Sequence, residues 1–455
     1  MPATRHPRTD SEHTSPGRAQ KSAIQKLPHD TLREIFLEIV STYHILSRNL
    51  GTPAIARVCR DWRATALQDP RLWSTINIPY GESWSSSAEN EIRTYLYRSR
   101  QLPLHVCATG DMSDLRYDDD QEMYLGGDFG PGDEFAMRAI ELIGKLSADR
   151  WKSFSLSGHH DIFDRQEKLF LPLLDTIIIA VKASPLPETA DPLRLGFLEQ
   201  APRVRKITLD VRYLAFSLPA WGSLKEATYL LHHSTDEEFM TVENQIRLQP
   251  QLEALEVHDF DGHFGVFAPR VLPIGALIRM PHLTTVTVSG IGHLILTCLD
   301  APSLRNVVVR HGYEEGGPGP LSSIMRLPDK SSLRALELAR VELDEDVGMD
   351  IVYRCLEGLP ALELLRVESS QRFVTPGSIL RNDLLVWLAR NEAAPVRLPQ
   401  LAGLFLYFGA SRPRGVEERL QKLLESRASK EHVGGVFLRA LTRFDTDIGE
   451  EFRMA

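Results

Sequence analysis

Cysteine is scarce: Cys59, Cys107, Cys298 and Cys355 are scattered over 455 residues with no C-x-x-C pair. That spacing supports neither a disulfide framework nor a structural zinc site, so a reducing compartment, cytoplasm or nucleus, is expected. There is no N-x-S/T sequon, and the opening run Met1-Pro2-Ala3-Thr4-Arg5 is polar rather than leader-like, so secretion is not expected. No apolar run reaches the ~20 residues that span a bilayer. The most apolar stretch, Leu169 to Val181, is interrupted by Pro172 and Asp175. Basic charge is also in deficit, with 52 Lys and Arg against 61 Asp and Glu and a net charge of -9. A phosphate backbone or an anionic membrane surface calls for a concentrated basic face, so neither nucleic acid nor membrane is an expected partner.

Signatures of chemistry are missing as well. The sequence contains no G-x-S-x-G elbow, phosphate-binding G-x-x-x-x-G-K-[ST] loop, H-E-x-x-H or G-x-G-x-x-G. His159-His160 and His232-His233 are adjacent pairs. Neighbouring strand residues point to opposite faces, which suits exposed histidines better than one shared metal ion. The acidic run Asp118 to Glu122 lacks the glycine and terminal glutamate spacing of a calcium loop and reads as solvated. No catalytic residue, metal or cofactor is expected. The enzyme-class alternative is an α/β hydrolase with that acidic run as a metal loop.

What is present is ample apolar material, 43% of the chain, enough for a large core. Residues 1–23 are polar and read as a disordered tail. From Leu27-Pro28, apolar residues Leu32, Ile35, Phe36, Ile39 and Val40 recur at helical spacing. A second helix is signalled by Thr52 as N-cap and Pro53 at the first helical position. Ile55, Val58, Cys59, Trp62 and Ala66 form its stripe, Pro70 ends it, and Leu72 and Trp73 follow.

Beyond residue 150 a second pattern recurs ten times: apolar, two variable, apolar, one variable, apolar. Its leading residues are Trp151, Leu174, Val204, Leu224, Leu252, Leu283, Leu304, Leu333, Leu362 and Leu401. The mean interval of about 28 residues lies in the range of leucine-rich units. In seven cases a proline stands two residues ahead of the leading position, where a helix or loop must stop before a strand. Helix-like stretches at 134–146, 350–356 and 383–390 lie between, and strand-helix alternation implies a parallel sheet. Ile92, Tyr95 and Leu96, running into Leu104 and Val106, suggest an earlier unit, and 416–427 with Val436-Phe437-Leu438 is expected to cover the last edge. The loops 111–133 and 312–320 read as insertions.

Two resemblances follow. Leu27-Pro28, Ile35-Phe36, Val58-Cys59-Arg60-Asp61-Trp62-Arg63 and Asp69-Pro70-Arg71-Leu72-Trp73 resemble an F-box over residues 24–76, with a longer loop than usual at 41–51. The later pattern resembles leucine-rich repeats. It departs from them in lacking the asparagine eight places on, where Arg212, Phe260, Ile291, Gly312 and Ser370 stand. The expected organisation is a tail at 1–23, an F-box at 24–76, a connecting helix-strand unit with an acidic loop at 77–149, and a degenerate repeat domain at 150–455. The fold class is then α/β, a helical module followed by an irregular solenoid with a parallel sheet; an ordinary α/β domain with buried strands is the rival.

The F-box resemblance implies docking to a Skp-type adaptor, and through it to a cullin-RING ubiquitin ligase. Leu27, Pro28, Ile35, Val58, Cys59, Trp62, Leu72 and Trp73 would meet the adaptor, because two helices alone cannot bury so much apolar surface. An unknown protein substrate would meet the strand positions two, four and six places after each leading residue: Lys206, Asp210, Glu256, His258, Arg310, Glu337, Arg366, Glu368, Phe405 and Tyr407. Arg366 and Tyr407 are the expected anchors, by the preference of binding surfaces for those residue types. A scaffold that binds proteins without promoting degradation is the alternative.

Overall fold

The computed structural model of the chain describes residues 27–42, 52–78, 84–108, 131–182, 193–211, 216–231, 236–259, 277–314, 319–343, 347–369, 378–390, 397–409, 412–429, 431–433 and 436–448. The tail at 1–23, the acidic run and His232-His233 lie outside the described residues.

Each apolar triplet opens a strand, because burying its second and third positions on one side is what period-two alternation allows. Thirteen strands form one sheet: β1 Thr75–Asn77, β2 Leu104–Ala108, β3 Trp151–His159, β4 Thr176–Lys182, β5 Lys206–Val211, β6 Glu226–Leu231, β7 Ala254–Asp259, β8 Thr285–Ser289, β9 Asn306–Glu314, β10 Ala335–Leu343, β11 Leu364–Glu368, β12 Gly403–Tyr407 and β13 Arg443–Thr446. Spatial order follows chain order and all neighbours run parallel, so each connection crosses to the adjacent strand and the sheet does not close into a barrel.

The ten triplets fall on β3 to β12, and every residue of them is buried. They share one core with helix residues such as Phe239, Val242, Val352, Leu384, Leu388, Leu420 and Leu423, which places those helices on a single face of the sheet. Each fully buried aliphatic side chain contributes roughly 1.5–3 kcal/mol. On the other face the alternate strand positions are mostly half-buried or exposed.

The prolines have a more specific task than stopping a helix. Each leading residue donates its N–H to the carbonyl three residues earlier, as in Leu174 to Leu171, Leu304 to Ala301 and Leu362 to Leu359. Pro172, Pro302 and Pro360 are the second residues of these turns, where a φ fixed near -65° is required.

The structure extends and corrects the expected layout. Stacking starts before residue 77 and ends after the last triplet. Trp73, Ile76 and Ile78 repeat the triplet spacing on β1, and Leu441, Phe444 and Thr446 do so on β13, all six buried. One sheet therefore runs through the expected boundary at 149/150. Val436–Leu438 pairs antiparallel with Glu431–Val433 in a separate hairpin, and β13 takes the edge instead.

The N-terminal module contains α1 His29–Thr42, α2 Thr52–Val58 and α3 Arg60–Gln68. The expected second helix is thus two helices, broken at Cys59, whose backbone is extended (φ -156°, ψ 176°) and whose Sγ accepts the Trp62 N–H at 3.5 Å. A cysteine cap ends the run by the same competition for backbone donors that serine offers. Thr52 uses its hydroxyl to donate to the Leu72 carbonyl.

Candidate docking surfaces

The module has its own small core of Leu32, Phe36, Ile55, Ala66, Leu72 and Trp73. Trp62 is half-buried with its ring 4.8 Å from that of Phe36. Trp73 is held from both sides: its Nε1 donates to the Ala66 carbonyl at 2.7 Å, the Tyr95 ring meets it edge-on at 5.0 Å, and the Arg98 guanidinium lies 4.9 Å from its ring. Tyr95 and Arg98 belong to α4, Ser86–Arg98, so the module is packed onto the first unit of the sheet.

The eight expected adaptor residues consequently separate into two groups. Leu72 and Trp73 are already buried within the chain and are not surface for a partner: Leu72 lies in the module's own core, and α4 completes the packing of Trp73. Leu27, Cys59 and Trp62 are half-buried, Pro28 is exposed, and Ile35 and Val58 are 36% and 61% exposed. Leu67, at 38%, adds apolar surface that the spacing argument passed over. The break at Cys59 accounts for Val58, which ends α2 instead of continuing a buried stripe.

Expected substrate residues lie on the sheet face opposite the helices. Asp210 is buried, while Lys206, Glu256, His258, Arg310, Glu337, Arg366, Glu368, Phe405 and Tyr407 are half-buried or exposed. Contacts run both along and across the strands. Lys206 meets Glu226 at 3.1 Å. His258 contacts Glu256 and the Ser289 hydroxyl, each at 3.2 Å, and the bond to His258 holds the Glu256 carboxyl below its usual range. Arg366 reaches Glu368 at 3.5 Å and stands over the Tyr407 ring at 5.0 Å, and Tyr407 donates to Asp445 at 2.8 Å. Its Nε is 3.9 Å from Glu337, too long for a hydrogen bond.

Sequence spacing did not single out two backbone positions at the C-terminal end of this face. His311 (φ 51°) and Arg340 (φ 57°) both adopt the left-handed conformation. Register places them side by side, between the pairs Arg310–Ala339 and Gly312–Val341. Neither is glycine, so each stores strain of order 1–3 kcal/mol. Arg340 donates to Nε2 of His311 at 3.2 Å. Burial, Arg340 and Arg310 lower the His311 pKa, against an opposing effect of Glu368. No residue-type pattern announces such a conformation; the only sequence cue is Gly312 beside His311.

The helical side carries an open groove of about 440 Å³ lined by Asp350, Tyr353, Arg354, Glu357, Trp387 and Arg397. Its aromatic floor is a stack, Tyr353 on Trp387 at 5.2 Å, with Arg397 4.9 Å from the Trp387 ring. The lining offers no serine, cysteine or histidine to pair as nucleophile and base. Among the described residues no three histidines, cysteines or carboxylates gather as metal ligands, and no helix is long and apolar enough to cross a membrane. His159 is buried, with Nδ1 accepting the Asp161 N–H at 3.4 Å. No family model matches the chain, and no curated protein matches it.

Proposed function

We propose that this chain is the substrate-recognition subunit of a Skp-cullin-F-box ubiquitin ligase. The N-terminal module docks the adaptor, and the sheet, read as an irregular leucine-rich-repeat solenoid, presents its open face to a protein substrate. Catalysis belongs to partner subunits. The observation that carries this reading is the exposure of Ile35, Val58 and Leu67 on a helical module whose own core is complete without them. Apolar side chains left in water beside a finished core mark a surface that another protein covers. The F-box-like order of Leu27-Pro28, Val58-Cys59-Arg60-Asp61-Trp62 and Leu72-Trp73 supports the choice of a Skp-type adaptor. The paired mixed charges and aromatics of the open face favour protein over nucleic acid, since its carboxylates oppose phosphates.

Co-expression of the full chain with a Skp-type adaptor, followed by size-exclusion chromatography, tests the reading. A stable complex is expected. Ile35→Lys with Val58→Lys is expected to abolish it at an unchanged melting temperature, because both positions are exposed. Absence of a complex with the unaltered chain overturns the assignment.

A further inference from the structure

At the fourth and sixth positions of the open face, charge pairing leaves Arg310 without a contact partner among the described residues. Counting four and six places from each leading residue, the charged side chains of β5 to β13 are Asp210, Glu256, His258, Arg310, Glu337, Arg366, Glu368, Asp445 and Asp447. Among the described residues Glu256, His258, Glu337, Arg366, Glu368, Asp445 and Asp447 have a hydrogen-bond or ion-pair partner, whereas Arg310 has none at contact distance and acts on the Glu256 carboxyl only from farther off. The neighbouring Arg340 points at a neutral acceptor, Nε2 of His311, so its charge is not balanced by that contact. Two guanidinium groups and an imidazole therefore converge in a chain of net charge -9. Two of the three are held there by left-handed backbone that a side chain rarely adopts. Ala339, opposite Arg310 in the register, keeps the space between Arg310 and Glu368 clear of a long side chain.

We propose that Arg310, Arg340 and His311 bind an oxyanion, the carboxylate or phosphate group of a protein segment docking on this face, with proton uptake by His311. The docking segment rests on the function proposed above; the anion site itself does not. The groups facing His311 are Arg310 from β9, Arg340 from β10 and Glu368 from β11, and Glu368 is already engaged by Arg366. In the free chain two cations oppose protonation of the ring. An anion between them reverses that balance: a proton from solvent enters at Nε2, the ring becomes a donor, and the Arg340 N–H that had bonded to the ring turns to the anion. Guanidinium and oxyanion match as forked donor and planar or tetrahedral acceptor, which favours Arg over Lys at such a site.

The test uses the full chain with its histidines isotopically labelled, the His311 resonance assigned through His311→Gln. Inorganic phosphate is the first probe. The His311 titration midpoint is expected to rise by about one pH unit in saturating phosphate, with chloride at matched ionic strength having no such effect. In Arg310→Gln combined with Arg340→Gln the phosphate response is expected to vanish while the signal of buried His293 stays in place. Affinity for sulfate, which stays a dianion throughout this range, is expected to be about tenfold higher near pH 5.5 than near pH 7.5 in the unaltered chain and level across that range in His311→Gln. Two peptides of one sequence, carrying either phosphoserine or glutamate, then show which oxyanion is preferred. A flat His311 titration, or an equal response in the double variant, overturns the anion site. Failure of the chain to bind a Skp-type adaptor while the phosphate response persists overturns the ligase reading instead.

Discussion

The guanidinium of Arg366 lies 5.0 Å from the ring centre of Tyr407 on the adjacent strand, and the Tyr407 hydroxyl in turn donates to Asp445 at 2.8 Å. The two residues expected to anchor a substrate are therefore a coupled pair spanning β11 to β13. Ordering them before binding lowers the side-chain entropy lost on association.

Removing both with Arg366→Ala and Tyr407→Ala is expected to leave adaptor binding intact and to eliminate partners cross-linked through the open face. A double-mutant cycle read by chemical denaturation should show coupling of about 0.5–1 kcal/mol, the size of a half-exposed cation–π contact. Retention of every proximity-labelled partner by the double variant would move the substrate surface off the open face.

The two sheet faces should respond differently to alanine. Leu255 and Leu336 are fully buried, so Leu255→Ala and Leu336→Ala are expected to cost about 2–5 kcal/mol each. Glu256 and Glu337 lie on the opposite face, where Glu256→Ala and Glu337→Ala should change stability by about 0.5 kcal/mol or less. Thermal melting of the four variants decides it, and equal losses at all four positions are incompatible with the observed register.

Acid sensitivity has an identifiable source in His293. Its ring is buried under the short helical turn at Gly290–Cys298, Nδ1 lies 3.0 Å from the Ser323 hydroxyl, and burial pushes its pKa down from 6.5 to about 4. Because the folded pKa is below the unfolded one, the unfolded chain binds more protons between these values. Stability from this group is complete above about pH 6.5 and is lost as pH falls toward 4, by about 3 kcal/mol across the window. Denaturant midpoints of the unaltered chain and of His293→Asn, measured near pH 7 and near pH 4.5, should converge on acidification. A constant gap between them would exclude the titration of this ring as the cause.

Leucine and valine spacing made the strands legible because a residue buried at 0–3% leaves a period-two trace that solvent exposure enforces in every copy. β1 and β13 escaped notice for a physical reason. Trp73 was absorbed into the pattern of the N-terminal module, and Thr446 replaces an aliphatic residue in the last triplet. The split at Cys59 was hidden because a capping thiol carries the same apolar character as a stripe residue. On the candidate surfaces, strand alternation located the open face, but not which members are taken up in contacts. Asp210 is buried, Leu72 is enclosed in the module's own core and Trp73 is covered by α4, outcomes that depend on neighbours distant in sequence. The left-handed pair His311 and Arg340 was equally invisible, since register rather than residue type sets it.

The turn ahead of each strand supplies the sharpest test of the repeat geometry. Seven of these turns carry proline at the second position, and Trp221-Gly222-Ser223-Leu224 carries glycine there, with Leu224 donating to the Trp221 carbonyl at 3.2 Å in the same turn. A Cβ built on Gly222 meets nothing within 4 Å, and Gly222 is not in the left-handed region. Gly222→Pro should therefore fit the turn and raise stability by about 0.4–1 kcal/mol, chiefly by restricting the unfolded chain. Ser331 occupies the equivalent place ahead of β10, but its N–H donates to the Asp329 carboxylate at 2.8 Å, and its hydroxyl and this N–H together hold the Asp329 pKa low. Ser331→Pro deletes that donor and should gain nothing or lose stability. Melting temperatures of the two variants are expected to move in opposite directions, up for Gly222→Pro and level or down for Ser331→Pro. A fall with Gly222→Pro would mean that this turn does not share the backbone of its proline-bearing counterparts.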